Sequence, residues 1–312
     1  RLGRAAPGPG YWLVTRHADV RTVLRDPETF SSWLGATQVR DPGSAEDLAY
    51  VRRMMLNMDP PEHTRLRQPM TKSFTMRAVA RLESQIDANV TTILDRTLSL
   101  DGSSRHTGAS EPRTVDFAKE VAADLPLLTL ADVLGVPPED RMLMYDWSNR
   151  VIGFQDPDYA TSAAFDPATG SPLAREALRL RPAPDADGRM PDPRSRAGMP
   201  DLYAYAHLLA EHKRRLPGED VMSNWLGGGL GADDAVSVEE FENMFWLFAV
   251  AGNETLRNGL PGGLHALLEH PAAQRELRAD PSLLGAAVEE MLRWWTPVMT
   301  FRRTAAVDTM IG

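Results

Sequence analysis

Apolar residues recur at helical spacing over most of the chain, and only short stretches alternate as strands do. Residues 77–98 place Val79, Leu82, Ile86, Val90, Ile93 and Leu94 three and four apart, which predicts an amphipathic helix. His17 to Arg25 repeats the pattern with Val20, Val23 and Leu24. Asp59 is expected to cap the next helix, with Pro60 first and Glu62 completing a capping box; Leu66, Met70 and Phe74 supply its buried face. Two further helices, Val121–Leu134 and Asp140–Ile152, flank the break Gly135-Val136-Pro137-Pro138, and Leu202–Leu216 forms another.

The longest element opens at Ser237, where Glu240 completes a capping box. Phe241, Met244, Phe245, Leu247, Phe248 and Val250 follow, and the pattern resumes at Leu264, Leu267 and Leu268. A helix over 238–269 is roughly 48 Å long at 1.5 Å per residue. It is apolar on most sides near its middle, as a helix through a core must be. Pro271 and Pro281 open two more helices, the second carrying Val288, Met291 and Leu292.

Strand signals are few. Gly10–Thr15 reads as a strand, and so does the run Asp308–Gly312, which ends without a visible partner and suggests a fragment. Residues 31–50 read as loop with short helical pieces and 101–113 as a polar loop. The middle of the proline-rich stretch, about 167–199, reads as a mobile insertion, and Gly227-Gly228-Gly229 as a linker. The expectation is a mainly α fold with a small β region, a single domain over 1–312 that is incomplete at both ends.

Composition narrows the function. Hydrophobic residues make up 43% and charged residues 25% of the 312, the balance of a globular protein. A net charge of −9 repels a phosphate backbone, so nucleic-acid binding has no support. No run approaches the roughly 20 apolar residues of a membrane span, and the N-terminus lacks the apolar core of a signal peptide. The expected location is the cytoplasm. The chain has no cysteine, which removes disulfides, thiolate catalysis and iron–sulfur ligation from this segment.

Four clusters hold chemistry-bearing residues. Ala251-Gly252-Asn253-Glu254-Thr255 sits mid-helix, where glycine costs about 1 kcal/mol relative to alanine and threonine can bond the preceding turn's carbonyl. That pattern suits a groove admitting water or a small ligand, or else Glu254 faces solvent on an amphipathic helix. Glu290 and Arg293 lie three apart and can pair, as many solvated surface pairs do. His63 and Arg67, one turn apart, make a cationic notch suited to a carboxylate, or a solvated helix face. Arg302-Arg303 follows in an extended segment. None of these makes a metal cage or a nucleophile with its base, and no residue is assigned as a metal ligand.

In their order the clusters form one pattern. MLNMDPPEHTRLR, AGNET, EEMLR and FRRTAAVDTMIG succeed one another as in cytochrome P-450 enzymes, and the resemblance runs from about Gly10 to Gly312. It implies a cytochrome P-450-like helical fold binding haem b. His63 and Arg67 would grip one haem propionate and Arg303 the other. At Ala251 and Gly252 the central helix would open over the iron. Glu254 and Thr255 would be the acid–alcohol pair that passes protons to bound oxygen. Glu290 and Arg293 would be a structural ion pair.

The implied activity is monooxygenation, with electrons from NAD(P)H through a ferredoxin reductase and a ferredoxin. The wording of SSW, MLNMDPPEHTRLR and VAGNETLRN resembles the group acting on steroids, branched lipids and terpenes, and implies an apolar substrate near Val298 and Met299. The family's haem-ligating cysteine is absent, so a fragment inactive by itself is expected. The alternative is a haem-free helical scaffold, or a pseudogene product, binding an apolar ligand. Pro69 and Pro261 depart from the pattern, because an interior proline kinks or breaks a helix.

Overall fold

The computed structural model describes residues 10–39, 41–98, 114–152, 165–193, 195–227 and 235–312. The expected polar loop 101–113, and Gly228 and Gly229 of the expected linker, lie outside them. The chain divides into two compact units, Arg1–Thr64 with Thr300–Gly312, and Arg65–Met299.

The first unit holds helix α1 (His17–Arg25), strand β1 (Phe30–Ser31), helix α2 (Ala45–Val51) and strand β2 (Thr304–Ala305). The strands pair antiparallel, Phe30 opposite Ala305 and Ser31 opposite Thr304. Neither predicted strand forms. Residues 10–15 join no ladder, and Trp12 there is 96% exposed. Residues 308–312 are irregular; the β signal of this region is realised four residues earlier, where β1 offers a backbone to pair with.

Asp59 does not cap a helix. Its carboxylate accepts from the Ser31 hydroxyl and from the Ser32 backbone N–H at 2.7 Å, tying down the turn after β1. Only its backbone carbonyl serves the helix, accepting from His63 N–H at 3.1 Å. Helix α3 (Glu62–Thr71) therefore begins at Glu62. Leu66 and Met70 are buried as expected, whereas Phe74 is half exposed, because the helix has ended and a 3-10 turn over Lys72–Phe74 follows.

In the second unit α4 (Met76–Leu98) is followed by a π-helical turn (Ala118–Ala122), α5 (Asp124–Leu134) and α6 (Arg141–Ile152). Gly135 ends α5 at φ +62, a left-handed position that glycine occupies without a Cβ penalty. Val136 N–H then reaches back to the Ala131 carbonyl at 2.9 Å, the bond of a Schellman stop. Within the expected insertion, α7 (Pro172–Ala177) packs on α8 (Pro200–Arg215) and buries Ala174 and Ala177 completely. Helices α9 (Val221–Gly227), α10 (Val238–Glu269), α11 (Pro271–Ala279) and α12 (Leu284–Trp295) complete the unit.

Helix α10 is the axis of this unit, packed by α5, α6, α8 and α12. Its capping box is complete: Ser237 Oγ accepts from Glu240 N–H at 3.1 Å, and Glu240 Oε2 accepts from Ser237 N–H at 2.8 Å. Phe241 and Phe245 stack with centroids 6.3 Å apart, and Trp147, Tyr205 and Trp225 join them at 5.1–6.4 Å between neighbouring rings. Such rings contribute about 0.5–1.5 kcal/mol per pair beyond area burial. The prolines do not break their helices: α3 runs through Pro69 and α10 through Pro261. Beside Pro261, Gly262 lies under the Trp295 ring, where a Cβ would overlap the indole; that glycine lets α12 lie close on α10.

Candidate functional site

The candidate residues of the second unit lie along the middle of α10 and at the end of α12. Thr255 Oγ1 donates to the Ala251 carbonyl at 3.0 Å, the back-bond to the preceding turn that its sequence position allows. Glu254 is half-buried. Its Oε1 accepts from Asn258 Nδ2 at 2.6 Å, while Oε2 is buried without a hydrogen-bond partner.

Ala251 is exposed, and Gly252 faces elsewhere. A Cβ on Gly252 would meet the Leu130 side chain of α5 at 2.9 Å, so this glycine serves helix packing. The helix stays α-helical through Ala251 and Gly252.

An apolar hollow of about 270 Å³ lies beside them, lined by Thr255, Leu256, Leu292, Thr296, Pro297 and Val298. Thr296 ends α12 in the left-handed region at φ +48, and its hydroxyl donates to the Arg293 carbonyl at 2.6 Å. That turn swings Pro297 and Val298 back over α10, and Pro297 Cγ would touch a Cβ on Gly259 at 3.4 Å. Val298 and Thr255 are thus brought together. Met299 lines no part of the hollow and is 85% exposed. Leu256, Leu292, Thr296 and Pro297 were missed in the sequence; the spacing of Thr255 and Leu256 on a helix was the available signal, but which turn folds over them was not.

Glu290 and Arg293 meet twice, Nε to Oε2 and Nη2 to Oε1, both at 2.6 Å. Both are exposed, and the pair braces its own helix. The Arg293 hydrogen bonds hold the Glu290 carboxyl below the usual carboxylate range.

The cationic candidates divide between the units. His63 is half-buried and Arg67 is exposed, one turn apart on α3, whose sequence the division between the units crosses. In the first unit Arg303 is half-buried. Burial pushes its guanidinium below the usual arginine range, and the charge of Asp59 acts the other way. A desolvated guanidinium of this kind is suited to an anion.

The donor set bears on a haem group as follows. Within the first unit the desolvated Arg303 is a donor suited to a carboxylate such as a haem propionate. The chain contains no cysteine, so its side chains offer no thiolate to the iron. Among the described residues no helix is long and apolar enough to cross a membrane.

Comparison with known proteins gives a consistent result. Over 305 residues the chain is 31% identical to a steroid C26-monooxygenase of Rhodococcus jostii (strain RHA1), spanning 97% of this chain and 55% of that protein. It is 34% identical over 307 residues to the steroid C26-monooxygenase of Mycolicibacterium smegmatis (strain ATCC 700084 / mc(2)155), spanning 97% and 61%. Among solved structures, Mycobacterium marinum cytochrome P450 CYP268A2 in complex with pseudoionone superposes with a TM-score of 0.75 at 34% identity, covering 99% of this chain and 65% of that one. No family model matches. The chain spans between 55% and 61% of the length of the curated relatives just named.

Proposed function

The chain belongs to the cytochrome P-450 family and has its mainly helical fold, and from that premise we propose that it forms the larger part of a monooxygenase that hydroxylates an apolar substrate. The observation that carries this is the apolar hollow with Thr255 in its wall and Glu254 one residue away. The named relatives act on steroids, and another, 32% identical, is a methyl-branched lipid omega-hydroxylase. A steroid, branched lipid or terpene is the substrate class that suits Leu256, Leu292, Pro297 and Val298, since each buried methylene contributes about 0.8 kcal/mol.

The haem, when bound, supplies the activation of dioxygen and the oxidising chemistry. The chain's own residues exclude water, orient the substrate and move protons. Thr255 Oγ1 both donates and accepts, and Glu254 Oε2 carries lone pairs that no protein group occupies; together they can hold a proton and pass it on. Arg303, with His63 and Arg67, would hold the propionates. Glu290 and Arg293 would stiffen α12. Electron supply by a ferredoxin and its reductase from NAD(P)H, and work in the cytoplasm, belong to the same proposal.

The 312 residues by themselves should not turn over substrate. Incubated with haemin, reduced and exposed to carbon monoxide, the polypeptide should show no thiolate-type Soret band, and the appearance of one would overturn that statement. Substrate binding is a separate matter, as the hollow is formed within this chain. Calorimetric titration should detect a sterol, a methyl-branched fatty acid or a terpene alcohol, and Val298→Asp should weaken binding at least tenfold. Failure of every apolar ligand, or indifference to Val298→Asp, would refute the hollow as the substrate site. A haem-free scaffold that binds an apolar ligand is the second reading; it predicts ligand binding unchanged by haemin.

A further inference from the structure

Several polar atoms on α10 are buried without a hydrogen-bond partner: Asn243 Oδ1, Trp246 Nε1, both amide atoms of Asn253, and Glu254 Oε2. Asn253 is the extreme case, with no exposed surface at all. It lies seven residues after Trp246 and four before Arg257, which places the three on one side of the helix. Arg257 Nη1 on that side donates to Asn149 Oδ1 of α6 at 2.9 Å, and the neighbouring Ser148 hydroxyl of α6 is itself buried and unpartnered. Helix α6 packs against α10.

A buried amide offers two donors and a carbonyl acceptor, and groups of this kind in folded proteins are paired with protein or with ordered water. The plainer reading is that Asn253 is unpaired and lowers stability. It must then explain three unpaired atoms on two consecutive residues in the middle of the principal core helix. Internal water that makes about three hydrogen bonds to otherwise unsatisfied groups is the ordinary solution.

We propose that Asn253 is a binding site for internal water, and that the water held there hydrogen-bonds the free Oε2 of Glu254. The existence of this site does not depend on the function proposed above. Its role does: on that reading Asn253 is a positioning residue that keeps the Glu254 carboxyl in protonic contact with water on the side away from Asn258.

The test is water-selective NOE and ROE spectroscopy on the full 312-residue chain, with labelled asparagine, glutamine and tryptophan side chains. Asn253→Leu, nearly the same volume, identifies the Asn253 amide signals by their loss; Asn253→Asp identifies them if that variant fails to fold. Glu254→Gln places a readable amide nitrogen where Oε2 lies, because Asn258 holds the other oxygen. The expected result is water cross-peaks of opposite sign in the two experiments at both the Asn253 amide and the new amide at 254, the signature of long-lived water. Absence of the cross-peak at either position overturns the proposal. No haem is present in these spectra, so this outcome is independent of the Soret and substrate-binding results.

Discussion

Two ion pairs within the second unit have similar chemistry and opposite environments. Arg293 and Glu290 pair through two bonds of 2.6 Å, with side chains 64% and 58% exposed. Arg150 Nη2 reaches both oxygens of Asp201 at 2.7 Å, with side chains 4% and 0% exposed. The first joins two residues of one helix, the second joins α6 to α8. In water an ion pair is offset by the solvation it gives up and contributes little. In the core each charge depends on its partner, because neither can recover its solvation if the other is lost.

The buried pair is also part of a network. Trp147 Nε1 donates to Asp201 Oδ2 at 3.1 Å, and Arg181, from the expected insertion, donates to Asp146 Oδ1 at 2.8 Å. Arg150 Nε stands 3.6 Å from the other Asp146 oxygen. The stretch read as a mobile insertion therefore contributes a charge to the core of this unit.

The contrast is broken most strongly at Arg150. Arg150→Ala strands Asp201 and weakens the hold on Asp146, and urea unfolding should show a loss of about 3–5 kcal/mol. Arg150→Met combined with Asp201→Leu should recover much of it; a double variant as unstable as the single would show that packing, not stranded charge, is responsible.

A smaller effect distinguishes a buried carboxylate from a half-buried one by the sign of their pH dependence. Burial raises the Asp146 carboxyl above its ordinary 3.8, against the pull of Arg150 and Arg181. The folded state then holds its proton more tightly than the unfolded one, so this contribution falls as pH rises from about 3.8 through the raised value. Burial acts in the same direction on Glu240, but its bonds from Arg65 and Ser237 prevail and hold it below its ordinary 4.5. Its contribution is present above 4.5 and is lost as pH falls through the lowered value. The stability difference between wild type and Asp146→Asn should shrink with rising pH, and that for Glu240→Gln should grow. Equal slopes would refute the contrast.

The smallest effect is at the surface. Glu290→Gln should leave the melting temperature within error at moderate salt, whereas a large drop would mean that the pair reaches beyond α12.

How much of this was legible depended on sequence distance. The capping box at Ser237 and Glu240, the bounds of α10 at Val238 and Glu269, and the Glu290–Arg293 contact all connect residues within one or two turns, so spacing alone reveals them. Asp59 shows how local reading fails: its position suits a helix cap, yet its carboxylate serves Ser31 and Ser32, 28 and 27 residues away. The Arg150–Asp201 pair spans 51 residues, and nothing local distinguishes these two from other arginines and aspartates.

Helix positions, the back-bond of Thr255 to the Ala251 carbonyl, and the absence of a thiolate donor were determined by the amino-acid sequence itself, because each depends on residue type and on spacing within a few turns. Tertiary structure decided that Gly252 faces Leu130, that Val298 folds over Thr255, and that Asn253 is sealed without a protein partner. Those outcomes follow from which helix faces meet. Burial, and with it the energy of every polar group, is set by neighbours that lie far away along the chain.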